Sequence, residues 1–121
     1  MIDGFEQQTA PLNDYEEAVL LPLVVKGIRR RRSEQTAATS TYIVKALKAQ
    51  GHQIDGPRLR KIINHIRMKG LVPRLCASSK GYYVEHDNAK LNAYIRSLEQ
   101  RAGAITAVAF ALRKDMQNIG L

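Results

Sequence analysis

The sequence predicts a mainly α chain with one small β-hairpin, an α+β fold that ends in a long helix. Three observations predict it. Leu59, Ile62, Ile63 and Ile66 recur at the i, i+3, i+4, i+7 spacing of one helical face. After Gly70 the period changes: LVPRLCA and YYVEH flank a tight SSKG turn, the pattern of two short strands. From Leu91 to Ile119, apolar and small residues return at alternating steps of four and three, a heptad held for four repeats.

Residues 1–12 are polar, contain Pro11 and read as a flexible arm. Asn13 and Glu16 stand at capping-box spacing, opening a first helix over NDYEEAVLLPLVVKGIRRR. Its acids lie in the first turn and its cations at the end, as the helix dipole favours. Pro22 predicts a kink or a break. The connector RRRRSEQTAA (29–38) is charged, polar and expected to be mobile. A second helix follows, with Thr39 or Ser40 as N-cap, Ile43, Ala46 and Leu47 facing inward, and Gly51 at its close. The third helix spans 57–69, from Pro57 in its first turn to Gly70 at its stop. Opposite its apolar stripe lie Lys61, Asn64 and Met68, and Arg58, Arg60, His65, Arg67 and Lys69 flank them.

In the hairpin, alternation sends Leu75, Tyr82 and Val84 inward and leaves Arg74 and Tyr83 outward. Asp87 caps a last helix running to about Asn118. Its seam is Leu91, Ile95, Leu98, Ala102, Ile105, Ala109, Leu112, Met116 and Ile119. Roughly thirty residues make about 45 Å at 1.5 Å per residue. A 120-residue domain has a radius of gyration near ~14 Å, too small to cover that length. The seam is therefore expected to pair with a second copy, through Leu91, Ile95, Leu98, Ile105, Leu112 and Met116. The division expected is 1–12 arm, 13–86 compact domain and 87–121 long helix.

Composition narrows the function. The 121 residues carry 19 Lys/Arg against 11 Asp/Glu, a net charge of +8. Residues 1–25 hold five acids and no Lys or Arg; residues 26–90 hold fifteen cations against four acids; residues 91–121 hold four against two. A positive block in the middle of a folded chain suits a polyanion, and nucleic acid is the commonest such partner. The single cysteine, Cys76, rules out an intramolecular disulfide and points to a reducing compartment. The N-terminal residues lack the apolar stretch of a signal peptide, and AVLLPLVV is too short to span a bilayer, so the expected location is cytoplasmic. His52, His65 and His86 are not at metal-ligand spacing with each other or with Cys76, and no phosphate loop or nucleophile motif occurs. The chain reads as a non-enzyme with no cofactor, no metal and no small-molecule ligand.

The order helix, helix, short turn, cationic helix, hairpin, long helix resembles the winged helix-turn-helix DNA-binding domain over roughly residues 13–86. TSTYIVKALKAQ matches the positioning helix, GPRLRKIINHIRMK the recognition helix and LVPRLCASSKGYYVEH the wing (71–86). The TAA segment stands where the fold has its first small strand. A weaker likeness is to short prophage-type proteins that carry this domain ahead of a long C-terminal helix. The resemblance implies double-stranded DNA as partner, with the helix at 57–69 in the major groove. Lys61, Asn64 and His65 then face base edges, with Arg58 on the deep N-terminal turn. Arg60, Lys69 and Lys45 face phosphates, as do the helix-two amides around Thr41. Ser78, Ser79 and Lys80 reach out from the wing tip. Arg29, Arg30, Arg31 and Arg32 are either a solvated linker or a flexible phosphate clamp. Transcriptional regulation and phage or mobile-element DNA processing both fit. A winged-helix module that binds protein in a replication or packaging assembly, or an RNA binder, stays open.

Overall fold

The computed structural model describes residues 8–117. Residue contacts divide the chain into two units, Met1–His86 and Asp87–Leu121. In the first unit a π-helical turn, Glu16–Leu20, runs directly into helix α1 (Leu21–Arg29). Asn13 and Glu16 form the expected reciprocal cap: the Glu16 amide donates to Asn13 Oδ1 and the Asn13 amide to Glu16 Oε1, each at 2.8 Å. The proline neither breaks the helix nor ends it. Pro22 has no N–H for the Ala18 carbonyl and would crowd it, so the turn before it widens to the π form while the backbone stays right-handed.

The connector is ordered, which corrects the expectation of a mobile one. Ser33 and Thr36 cap a short 3-10 turn, Glu34–Thr36, and the Val84 amide donates to the Arg31 carbonyl at 2.7 Å. Ala38 then forms a two-way bridge with Tyr82, whose amide donates to the Ala38 carbonyl at 2.8 Å. The TAA segment, where the resemblance has its first small strand, forms only this isolated bridge, and the sheet has two strands.

Helix α2 (Ser40–Ala49) is capped by Thr39, whose Oγ1 accepts from the Tyr42 amide at 3.1 Å. Helix α3 (Gly56–Lys69) is capped by Asp55, which accepts from the Arg58 amide at 2.8 Å, and is stopped by Gly70 in the left-handed conformation. Strands β1 (Leu75–Ser78) and β2 (Gly81–Val84) pair antiparallel, with Leu75 opposite Val84 and Cys76 opposite Tyr83.

The core is where the periodicity put it. Leu59, Ile62, Ile63 and Ile66 of α3 pack with Leu20, Val24 and Ile28 of the first helix, and with Leu47, Ile54, Val72 and Val84. Each side chain of this size contributes about 1.5–3 kcal/mol when fully buried. Leu75 and Tyr82 are half-buried against this cluster. Tyr83, expected outward, is buried. The residue opposite it, Cys76, is 1% exposed, and Glu85, two positions along on the same face, is buried as well. A hairpin covered on both faces loses the inside–outside alternation on which the expectation rested. Arg74, also expected outward, is half-buried at a positive φ of 67° and donates from Nε to the Glu85 carbonyl at 2.6 Å.

The second unit is helix α4 (Asn88–Gln117), thirty residues long. Asp87 caps it, accepting from the Lys90 amide at 3.0 Å. None of its residues is buried. The expected seam residue Ile119 and the helix end at Asn118 lie outside the described residues. Among the described residues, no helix is long and apolar enough to cross a membrane.

Candidate nucleic-acid interface

The cations of α3 divide into two sets. Arg58 and Lys61 do not point into solvent. Glu16, 3% exposed, holds both: its Oε2 lies 2.9 Å from Arg58 Nε and its Oε1 2.7 Å from Lys61 Nζ. Arg58 also donates to the Gln53 carbonyl at 2.9 Å and lies over the Tyr15 ring at 5.4 Å. Lys61 keeps only 14% of its side-chain surface. Lys61 stands opposite the apolar stripe, as the helical wheel requires, yet that side of α3 is covered by the π turn that carries Glu16. Lys61, expected at base edges, and Arg58, expected on the deep N-terminal turn, are therefore built into the fold.

Burial pushes the Glu16 carboxyl upward. The hydrogen bonds from Lys61, the Asn13 amide and Arg58, with the Lys61 charge, outweigh it and hold the group at about 2. One carboxylate thus caps the first helix and pins the front of α3. No local sequence signal marked the second role, because Arg58 and Lys61 lie 42 and 45 residues away.

The second set is open. Arg60 and Lys69 are exposed on α3, as are Thr41 and Lys45 on α2 and Ser79 and Lys80 in the hairpin turn. Lys45, Arg60, Lys69 and Lys80 have no ion-pair partner among the described residues. Asn64 is half-buried and donates from Nδ2 to the Gln8 carbonyl at 3.3 Å; His65 is half-buried beside it. Gln8, Arg60, Asn64, Arg67, Ala77 and Tyr82 line one cleft, so Gln8 lies on the hairpin side of α3. A second cleft joins Thr39 and Ser40 to Ala77, Ser78, Ser79, Gly81 and Tyr82. The start of α2 and the hairpin tip are thereby brought together, and the Ala38–Tyr82 bridge holds them there.

The four consecutive arginines do not act alike. Arg29 donates to the Leu71 carbonyl at 3.0 Å. Arg31 donates to the Thr36 carbonyl at 3.3 Å and lies over the Tyr42 ring at 5.2 Å. A flexible four-residue clamp is inconsistent with those contacts, and only Arg30 and Arg32 extend into solvent without a partner among the described residues. Burial, and next the Glu85 charge, push the Cys76 thiol up, away from the thiolate a reactive cysteine needs.

On α4 the expected seam residues divide by depth. Leu91 is half-buried, whereas Ile95, Leu98, Ile105, Leu112 and Met116 are exposed. No family model, no curated protein and no solved structure matches the chain.

Proposed function

We propose that residues 13–86 form a winged helix-turn-helix unit that binds duplex DNA, in transcriptional regulation or in phage or mobile-element DNA processing. The observation that carries this reading is the set of exposed cations, Lys45, Arg60, Lys69 and Lys80, with no ion-pair partner among the described residues, on the three elements this fold turns toward DNA. The order of helices and hairpin supports it, as do the net charge and the cleft shared by the α2 start and the hairpin tip. In this reading α3 enters the major groove, Arg60 and Lys69 meet phosphates on either side, and Lys45 with the amides near Thr41 holds a third. Asn64 and His65 face base edges, Asn64 exchanging its Gln8 contact for adenine, a pairing worth about 1–3 kcal/mol of discrimination. Arg58 and Lys61 set the angle of α3 through Glu16 rather than reading bases. Ser79 and Lys80 meet the neighbouring backbone.

The test replaces Arg60, Lys69 and Lys80 together by alanine. Loss of three phosphate contacts weakens binding to a random duplex on the order of 10–100-fold near physiological salt. The melting temperature stays in place, because all three side chains are exposed. Unchanged affinity overturns the interface.

One observation favours a second reading, a protein-docking module. Met68 is 73% exposed on α3 and Tyr42 is 56% exposed on α2. In that case Met68→Ser, and not the triple alanine change, abolishes the interaction.

A further inference from the structure

We infer that helix α4 pairs with α4 of a second copy in an antiparallel arrangement, with Ala102 facing the partner's Ile105 and Ala109 facing the partner's Leu98. The pairing rests on the seam and not on nucleic-acid binding, so the two proposals fail separately.

The seam leaves α4 with a stripe that no described residue of its own unit covers. Ile95 is 45% exposed, Leu98 42%, Ile105 70%, Leu112 60% and Met116 73%. At about 200 Å² for a fully exposed residue of this size, these five leave roughly 600 Å² open, and the seam alanines Ala102 and Ala109, with Val108 beside them, bring it near the ~800 Å² per partner of a standard specific interface. A second copy supplies a surface of the same length and the same period, which fits an occupant that must match a heptad from end to end.

Layer by layer packing selects the direction. In a parallel pair each residue meets itself, so Ala102 faces the partner's Ala102 and Ala109 the partner's Ala109. Two layers of facing methyl groups beside layers of facing Leu98 and Ile105 leave voids, and interiors do not tolerate voids of that size without loss of stability. The antiparallel register removes them. Ile95 meets the partner's Leu112, Ala102 its Ile105, Ala109 its Leu98, and Met116 its Leu91. Every small residue then faces a large one, and all eight positions per helix are used. Opposed helix dipoles favour the same direction. Leu91 is level with the partner's Met116, so the two Leu91 positions lie about 38 Å apart along the axis at 1.5 Å per residue.

Cysteine pairs in the full chain read the direction. Ala109→Cys and Leu98→Cys chains carrying different tags are mixed and oxidised, with wild type, whose Cys76 is buried, as the blank. Light scattering after size exclusion reports the mass. The expected result is a dimer in which Ala109→Cys links to Leu98→Cys and neither links to itself, because like positions stand about 16 Å apart in this register. Self-linking of Ala109→Cys overturns the direction. A dimer without any link overturns the seam, and a monomer at micromolar concentration overturns the pairing. Ile105→Asp, exposed and thus compatible with folding, is expected to return the chain to a monomer.

Discussion

Replacing Glu16 by glutamine lowers stability by about 2–4 kcal/mol at pH 7, although one carboxylate oxygen becomes an amide nitrogen and nothing else changes. The carboxylate is buried and opposed by two cations, and removing one member of such an arrangement leaves the others desolvated without compensation. Arg58 and Lys61 keep partial access to water, which places the loss below that of a fully buried pair. The carboxamide can still accept the Asn13 amide, so the cap survives and the loss reports the charge. The pH dependence carries the sign. A carboxyl held at about 2 against an ordinary value of 4.5 contributes stability that is complete above pH 4.5 and lost as the pH falls toward 2. That shift corresponds to roughly 3 kcal/mol. Urea unfolding of both proteins at a series of pH values checks it. The gap between wild type and Glu16→Gln is wide at pH 7 and closes through this window. A gap independent of pH contradicts the role given to the charge.

Gly81→Ala is the second large effect. Gly81 has φ of 119°, which side chains rarely adopt, and a Cβ there would overlap the Ala38 carbonyl group and crowd the Thr39 nitrogen. The backbone of β2 passes so close to the start of α2 that only hydrogen fits. The substitution therefore has to open the Ala38–Tyr82 bridge or move the hairpin tip, at a cost of about 3 kcal/mol or more once strain and lost packing combine. Gly70→Ala is the control. Gly70 is also left-handed, at 65°, but has open space around it, so only the conformational penalty of about 1 kcal/mol applies. Thermal melting of the two variants separates close approach from backbone strain. Equal losses contradict the steric account.

Much of the fold was legible because its signals are local. The four-residue stripe of α3, the Asn13–Glu16 cap, the Thr39 and Asp87 caps and the Gly70 stop all lie within one or two turns of the residues they organise. The site was less legible because its partners are distant in the chain. Lys61 has the position on the helical wheel of a base reader; Glu16, 45 residues earlier, closes over it. Arg31 has the composition of a solvated linker, but the Tyr42 ring and the Thr36 carbonyl organise it. Tyr83 departs from the alternation for another reason: alternation reports burial only when a sheet has one dry face, and Cys76 and Glu85 share a dry face with it.

Duplex DNA binding, measured by fluorescence anisotropy across a salt series with matched RNA and heparin alongside, decides whether the open cations form a nucleic-acid interface. Binding through the open cations predicts micromolar affinity for random duplex and a log–log slope near −4 to −7, corresponding to about five to eight phosphate contacts at −0.9 each. That slope is expected for duplex DNA, with weaker binding to the A-form RNA, whose deep, narrow major groove does not admit α3. Absence of duplex binding at low salt contradicts it, and equal binding of duplex, RNA and heparin contradicts groove recognition while leaving only charge.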